Sequence, residues 1–399
     1  MAELNGYCNP KFERVRDAMA KSIASGAEIG ASLCVNIDGE DVIDLWGGWR
    51  DRERSATWTE DTIVAVFSAT KTVTSLAVLM LVERGQLDLD KPVADYWPEF
   101  GQNGKDKVKV RHLLSHTVGL PAWEPPFSMA DAMDTATSTA KLAAQAPWWV
   151  PGTRGTYHAS SFGHLNAELV RRVTGMTLSQ FVAREIAGPL DASFYLGLSD
   201  PALLSKVATI YPAPEEGSRG APKASAAASN DDLAVEREIS ARIRLGSFSG
   251  MKRDPLVLFN SPEWRRTEFG GSSGHTNAAS LGKILAVLSL NGVSKGVRLI
   301  SPQTIEMIFQ TQADGIDAYY MKPIRWGVGY ALSSEADNSR GPLPFLLPSK
   351  KTCFWYGSGG ALAIADVERR ITYTYAMNQC QAGKNSLNGV YYRAFYDCI

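Results

Sequence analysis

No stretch of the chain reaches the roughly 18 consecutive apolar residues that a membrane-spanning helix needs. Its first residues, Met1 to Gly6, also lack the basic start and apolar run of a secretory signal. A cytoplasmic location is therefore the expectation. Charge of either sign is missing in excess: 41 basic residues against 42 acidic ones leave a formal net charge of -1. No global field draws such a chain to nucleic acid or to an anionic membrane. The partner that remains is a small, roughly neutral molecule. Cysteine is scarce as well, and the five present (Cys8, Cys34, Cys353, Cys380, Cys398) are odd in number, scattered and without a C-x-x-C pair. That excludes a disulfide framework or zinc ribbon and favours free buried thiols. Histidine is equally sparse. His112 and His116 have the i, i+4 spacing of a helical zinc pair, but Leu113 stands where H-E-x-x-H requires glutamate, so they read as structural. No phosphate loop or dinucleotide fingerprint occurs, and neither metal nor cofactor is expected.

What is present is ordinary globular composition, 45% hydrophobic and 21% charged over 399 residues, enough for one two-lobed domain or two smaller ones. Residues 31–37 and 41–46 read as strands around Asp38-Gly39, a dipeptide that readily takes the positive φ of a hairpin turn. Residues 10–25 carry Phe12, Val15, Met19 and Ile23 near helical spacing. After a strand-like run at 63–67, residues 69–84 form an apolar, buried type of helix that Gly85 stops. From about 87 to 245 helices alternate with Pro- and Gly-rich turns, including a Ser-, Ala- and Gly-rich surface excursion at 215–230. Strands return at 326–332, 361–366 and 371–377, before a last helix at 386–396. The expected class is α/β (α+β): an antiparallel sheet flanked by helices, built from 1–86 plus 246–399, with a helical insertion lobe at about 87–245.

Residues three apart on a helix share a face, so in Ser-x-x-Lys the amine can reach the hydroxyl. The pattern occurs at Ser68-Ala69-Thr70-Lys71, Ser138-Thr139-Ala140-Lys141 and Ser249-Gly250-Met251-Lys252. Only Ser68 stands between a strand-like run and a long helix, where free N–H groups and the helix dipole favour a developing anion. Lys71 lies among Val73, Leu76, Ala77 and Leu79, so desolvation disfavours its charge and equips it to accept a serine proton. A helix-capping serine and a lysine reaching for the surface are the plainer alternatives. A rival nucleophile elbow, Gly270-Gly271-Ser272-Ser273-Gly274, follows the charged segment 263–268 instead of an apolar strand, and only His275 follows Ser272. It reads as a glycine-rich loop leading into a helix that starts near Asn277.

Four stretches in order carry a resemblance. They are Phe67-Ser68-Ala69-Thr70-Lys71, the run from Val110 to Leu120 (VRHLLSHTVGL), Pro151-Gly152-Thr153 with Tyr157-His158-Ala159, and Trp355-Tyr356-Gly357-Ser358-Gly359-Gly360. Over most of its length the chain resembles the β-lactamase-related serine esterases, the family VIII carboxylesterases, which are relatives of class C β-lactamases and penicillin-binding proteins. The resemblance implies a serine β-lactamase-like fold, Ser68 as nucleophile, Lys71 as base, and Tyr157 as a second acid/base. It implies an oxyanion hole from the backbone N–H groups of Ser68 and Ser358. Where many relatives carry asparagine this chain has Ala159. Trp355-Tyr356-Gly357 occupies the family's Lys-Thr-Gly strand, with Lys351-Thr352-Cys353 as an alternative register that lacks the glycine.

These replacements disfavour a β-lactamase and favour a neutral ester or thioester substrate, with Ala159, Trp355, Tyr356 and Gly357 as binding residues. Trp123, Phe127, Trp148 and Trp149 are further candidates for an apolar pocket, or simply core. The expected activity is a serine esterase acting on small carboxylic esters through an acyl-enzyme. The alternatives are an acyltransferase of secondary metabolism using the same acyl-enzyme and, behind it, a β-lactamase or a non-catalytic scaffold.

Overall fold

A computed structural model of the chain describes residues 3–213, 233–246, 255–333, 343, 345, 347–381 and 386–399. The excursion at 215–230 and the third Ser-x-x-Lys match lie outside them. The Asp38-Gly39 turn forms as its composition requires, with φ of 57° and 98°, and joins β2 (Gly30–Ile37) to β3 (Glu40–Gly48) with Ile37 opposite Glu40. Around this hairpin a nine-stranded sheet grows, antiparallel throughout. Its other members are β1 (Leu4–Cys8), β9 (Ala313–Asp317), β10 (Lys322–Trp326), β11 (Ala331–Leu332), β12 (Thr352–Tyr356), β13 (Leu362–Asp366) and β14 (Ile371–Met377), in the order β1-β3-β2-β14-β13-β12-β11-β10-β9. The central strands β13 and β14 are buried along their whole length, which is why they read as continuous apolar runs rather than alternating ones. Short strands β4 (Val64–Ala65), β5 (Phe194–Tyr195) and β6 (His275–Thr276) make a second small sheet, and β7 (Val293–Ser294) pairs with β8 (Val297–Arg298).

Helices cover both faces. Helix α1 (Glu13–Ser25) packs beside the C-terminal helix, and α12 (Ala278–Ser289), capped by the Asn277 side chain on the Ser280 amide, lies across β2, β13 and β14. The C-terminal helix becomes α14 (Leu387–Tyr396) once α13 (Pro302–Ile308) is counted. Between α2 (Thr70–Glu83) and α12 run α3 (Val110–Leu114), α4 (Met129–Met133), α5 (Thr135–Ala144), α6 (Ser161–Thr174), α7 (Leu178–Val182), α8 (Pro201–Leu204), α9 (Ala234–Gly246), α10 (Pro255–Phe259) and α11 (Pro262–Arg265).

Helix α2 sits at the centre, against α6, α7, α12, α13 and β12. Its residues from Thr70 to Leu81 are all buried. Burying each leucine contributes about 1.5–3 kcal/mol, and the hydroxyl residues among them escape the penalty of ~1–3 kcal/mol for an unsatisfied polar group because each finds a carbonyl. Thr72 donates to Ala69 O, Thr74 to Gly270 O and Ser75 to Gly329 O, at 2.7, 2.6 and 2.7 Å.

Two sequence-derived boundaries change. The apolar run at 63–67 is strand only over Val64–Ala65, because Phe67 takes φ 48° and opens a 3-10 turn, Phe67–Ala69, ahead of α2. The stretch 326–332 is not one strand. Gly327 approaches Ile308 O so closely that an added Cβ would lie 2.1 Å from it, and Gly329 has φ +88°, so a turn separates β10 from β11. Strands β1, β9 and β10 were not expected.

Candidate functional site

The nucleophile candidate sits on the 3-10 turn, not on a helix N-cap. Ala69 occupies the cap position of α2, and Ser68 projects half-buried from the turn before it. Phe67, with its left-handed backbone, is held by Thr70, whose hydroxyl donates to Phe67 O and accepts from Gly274 N–H at 3.0 Å. Its ring meets Phe259 edge-on, with centroids 5.0 Å apart. Thus the threonine of Ser-Ala-Thr-Lys pins the turn that presents the serine.

One turn on, Lys71 is 2% exposed. Its Nζ lies 2.8 Å from Ala159 O, 2.7 Å from Gly271 O and 3.4 Å from Ser68 Oγ. No carboxylate pairs with it among the described residues, and burial holds its pKa well below the lysine range. A neutral amine has two N–H donors and one lone pair. With two carbonyls taking the donors, the lone pair of the neutral form is the one left for the serine hydroxyl 3.4 Å away. The faces of Tyr157 and Phe162, 4.8 and 5.9 Å from Nζ, add a place for the cation once a proton arrives.

The rejected elbow motif supplies half of this cradle. The carbonyls of Gly270 and Gly271 accept from Thr74 and Lys71, one helical turn apart on α2. The loop reaches its place because Gly163 of α6 has no side chain: a Cβ there would come within 2.1 Å of Gly271 N. Ser272 therefore belongs to a scaffold loop.

Tyr157 is 2% exposed, its hydroxyl faces Ser68, and it accepts from Trp355 Nε1 at 3.2 Å. Burial raises its pKa well above the phenol range, so it enters as the protonated form. Its ring packs with Trp355, Tyr319 and Tyr320 at centroid distances of 4.7, 5.2 and 5.5 Å. The stretch from Val110 to Leu120 acts as its mount. His116 O accepts from Thr156 N–H and His116 Nδ1 from His158 N–H, both at 3.0 Å, while His158 Nε2 accepts from Leu120 N–H at 3.1 Å. Burial drives both imidazoles toward the neutral form, His158 down to about 3. His116, at φ 60°, lies beyond the end of α3 and so shares no helix face with His112.

Strand β12 brings the last motif in. Gly357 backs onto Val66 O so tightly that a Cβ would lie 2.2 Å from it, which sets the strand end against the Ser68 turn. The amides of Ser68 and Ser358 donate to no backbone carbonyl among the described residues, whereas Gly357 N–H is taken by Ala361 O at 2.7 Å. Tyr356, half-buried, stacks toward Tyr320 at 5.8 Å. The alternative register fails: Lys351 stands at the far end of β12 and pairs with Glu306 at 2.8 Å.

Of the other aromatics, Trp123 stacks on Phe127 at 4.2 Å, and Trp148 and Trp149 pack with Ile239, Ile243 and Tyr319. The second Ser-x-x-Lys match is inert as a pair, since Ser138 donates to Asp131 O and Lys141 reaches Pro126 O at 3.5 Å. Sequence reasoning missed Asp317, whose buried carboxylate accepts from three backbone amides beneath Tyr157; burial pushes its pKa up to about 7 against those bonds. A lone aspartate at a strand end carries no spacing signal that could have found it.

A model of the Beta-lactamase family matches residues 15–394. The esterase/beta-lactamase LipL of Mycobacterium tuberculosis (strain ATCC 25618 / H37Rv) is 29% identical over 329 residues, 82% of this chain and 74% of that protein. The crystal structure of a family VIII carboxylesterase superposes with a TM-score of 0.86 at 31% identity, covering 100% of both chains. Acyltransferase mokF of Monascus pilosus is 25% identical over 334 residues, 77% of this chain and 68% of that one.

Proposed function

This chain belongs to the beta-lactamase family, and from that premise we propose that it is a serine esterase that hydrolyses small carboxylic esters through an acyl-enzyme on Ser68. The observation that carries the reading is the Lys71 amine, buried without a carboxylate, donating to two carbonyls and facing Ser68 Oγ at 3.4 Å. Ser68 Oγ attacks the ester carbonyl as its proton passes to Lys71 Nζ. The oxyanion forms against the amides of Ser68 and Ser358, which have no competing backbone acceptor among the described residues. The tetrahedral intermediate collapses, and the departing alkoxide takes the phenol proton of Tyr157, which Lys71 then replaces. Water enters along the reverse path and releases the acid.

The substrate is a neutral ester or thioester. Ala159 offers Lys71 only its carbonyl and leaves a methyl group where an amide would bind a β-lactam side chain. Trp355 stands where a lysine would meet a substrate carboxylate, and its N–H is spent on Tyr157.

The second reading is acyl transfer to an alcohol in place of water. It is favoured by mokF among the relatives and by the aromatic packing around Tyr157, which limits water.

The test is a fluorophosphonate serine probe with peptide mass spectrometry, and Lys71→Ala as the comparison. Labelling at Ser68 that collapses in the variant is the expected result; labelling at Ser272, or none, overturns the reading. Product analysis with and without an acceptor alcohol then separates hydrolysis from transfer.

A further inference from the structure

Three backbone amides converge on one buried carboxylate. Asp317, the last residue of β9, accepts from Tyr319 and Tyr320 N–H through Oδ1 at 2.9 and 3.0 Å, and from Tyr157 N–H through Oδ2 at 2.6 Å. The first two bonds are those of an ordinary aspartate turn, in which the side chain caps amides two and three residues on. The third is not. It reaches 160 residues back along the chain, to the residue that carries the candidate acid/base. A buried carboxylate is costly unless its bonds compensate, and no lysine, arginine or histidine pairs with this one among the described residues. A turn alone would not need the second oxygen.

We infer that Asp317 is a positioning residue for the proposed acyl-transfer reaction: its carboxylate ties the main chain of Tyr157 to the Tyr319–Tyr320 turn, so that the phenol meets Ser68 in register with the aromatic wall. The inference rests on the proposed function. Its physical basis is leverage. A phenolic oxygen stands roughly 6 Å from its own Cα, so a main-chain rotation of about 10° displaces it by ~1 Å, a shift that can cost about 100-fold in rate. The same carboxylate holds the rings that border Tyr157, with Tyr319 at 5.2 Å and Tyr320 at 5.5 Å between centroids. Releasing it loosens acid/base and wall together.

The experiment compares full-length wild type, Asp317→Asn, Tyr157→Phe and the double variant. Active sites are counted by fluorophosphonate titration, and kcat per titrated site and KM are measured with p-nitrophenyl butyrate. Asparagine keeps the shape but cannot accept from all three amides. The expected result is a per-site kcat lower by about 30-fold or more in Asp317→Asn with KM within about 3-fold. In the Tyr157→Phe background the same change should cost less than about 2-fold, because a residue that acts through Tyr157 has nothing left to position. A per-site kcat within about 3-fold of wild type overturns the inference, as do penalties that multiply in the double variant. Loss confined to the number of titratable sites also overturns it, since that marks a structural role. Asp317→Ser, smaller and with one acceptor, is judged by the same criteria if the asparagine variant does not fold; if neither yields titratable sites, the inference falls. Failure of wild type itself to be labelled and to turn over overturns the functional reading instead.

Discussion

Replacing Lys71 by methionine should abolish activity without weakening the protein. In catalysis the variant loses a general base, worth about 10²- to 10⁴-fold, or ~3–5 kcal/mol of barrier. In stability the balance runs the other way. Lys71 is protonated in the unfolded chain and neutral in the native one between its lowered native pKa and 10.5. Each pH unit in that window below 10.5 costs the native state about 1.4 kcal/mol. The unfolded state binds the extra proton there, so wild-type stability climbs with pH through the window. Methionine does not titrate and fills similar length, but it leaves Ala159 O and Gly271 O without a donor, at about 1 kcal/mol each. The variant is therefore expected to match or exceed wild type at pH 6 and to lose that advantage by pH 9. Urea unfolding followed by tryptophan fluorescence at both pH values, beside p-nitrophenyl butyrate turnover, reads both effects. A variant several kcal/mol weaker at pH 6, a difference that does not narrow with pH, or activity above about a tenth of wild type would refute the neutral-base argument.

Two other outcomes follow from named contacts. Trp355→Phe removes the indole donor 3.2 Å from Tyr157 Oη but keeps an aromatic ring against it. As the phenolic oxygen gains charge that bond is worth ~1.5–3 kcal/mol, so kcat should fall about 10- to 100-fold, and an unchanged kcat would show that the bond is not used. Glu28 is buried and accepts from Tyr375, and burial raises its pKa from 4.5 to about 8. The native state alone binds this proton between those values, so the group's stability is full below pH 4.5 and is lost as pH rises toward 8. Glu28→Gln should remove that decline, on the order of 5 kcal/mol across the window, and parallel stability curves for the two proteins would refute it.

Much of the candidate site was legible because chemistry and local structure point to the same residues. Ser68 and Lys71 stood out where a strand-like run met a buried helix, and Asp38-Gly39 announced a hairpin by its backbone preference alone. Tyr157 and the Trp355 strand were reached only by resemblance, since neither has a local pattern that ties it to a serine about 89 or 287 positions away. The carbonyls of Ala159 and Gly271 were beyond reach for a different reason. Every residue has a carbonyl, and only the fold decides which one meets an amine. Strand boundaries failed where glycine and a positive φ broke an apolar run, at Phe67 and at Gly327 to Gly329, because periodicity reports burial and not backbone handedness.

The two acceptors that hold Lys71 lie 88 and 200 residues further along the chain. On the ribosome, a nascent polypeptide that ends before Gly271 lacks one of the two carbonyls that hold this amine, so under the proposed mechanism the base that takes the proton of Ser68 is not yet in place. Under the proposed mechanism the serine is emitted early but armed late, so a growing or truncated chain does not yet form the acyl-enzyme. Activity in this architecture is a property of the finished molecule, and the appearance of turnover during synthesis would time the docking of the 270–271 loop onto α2.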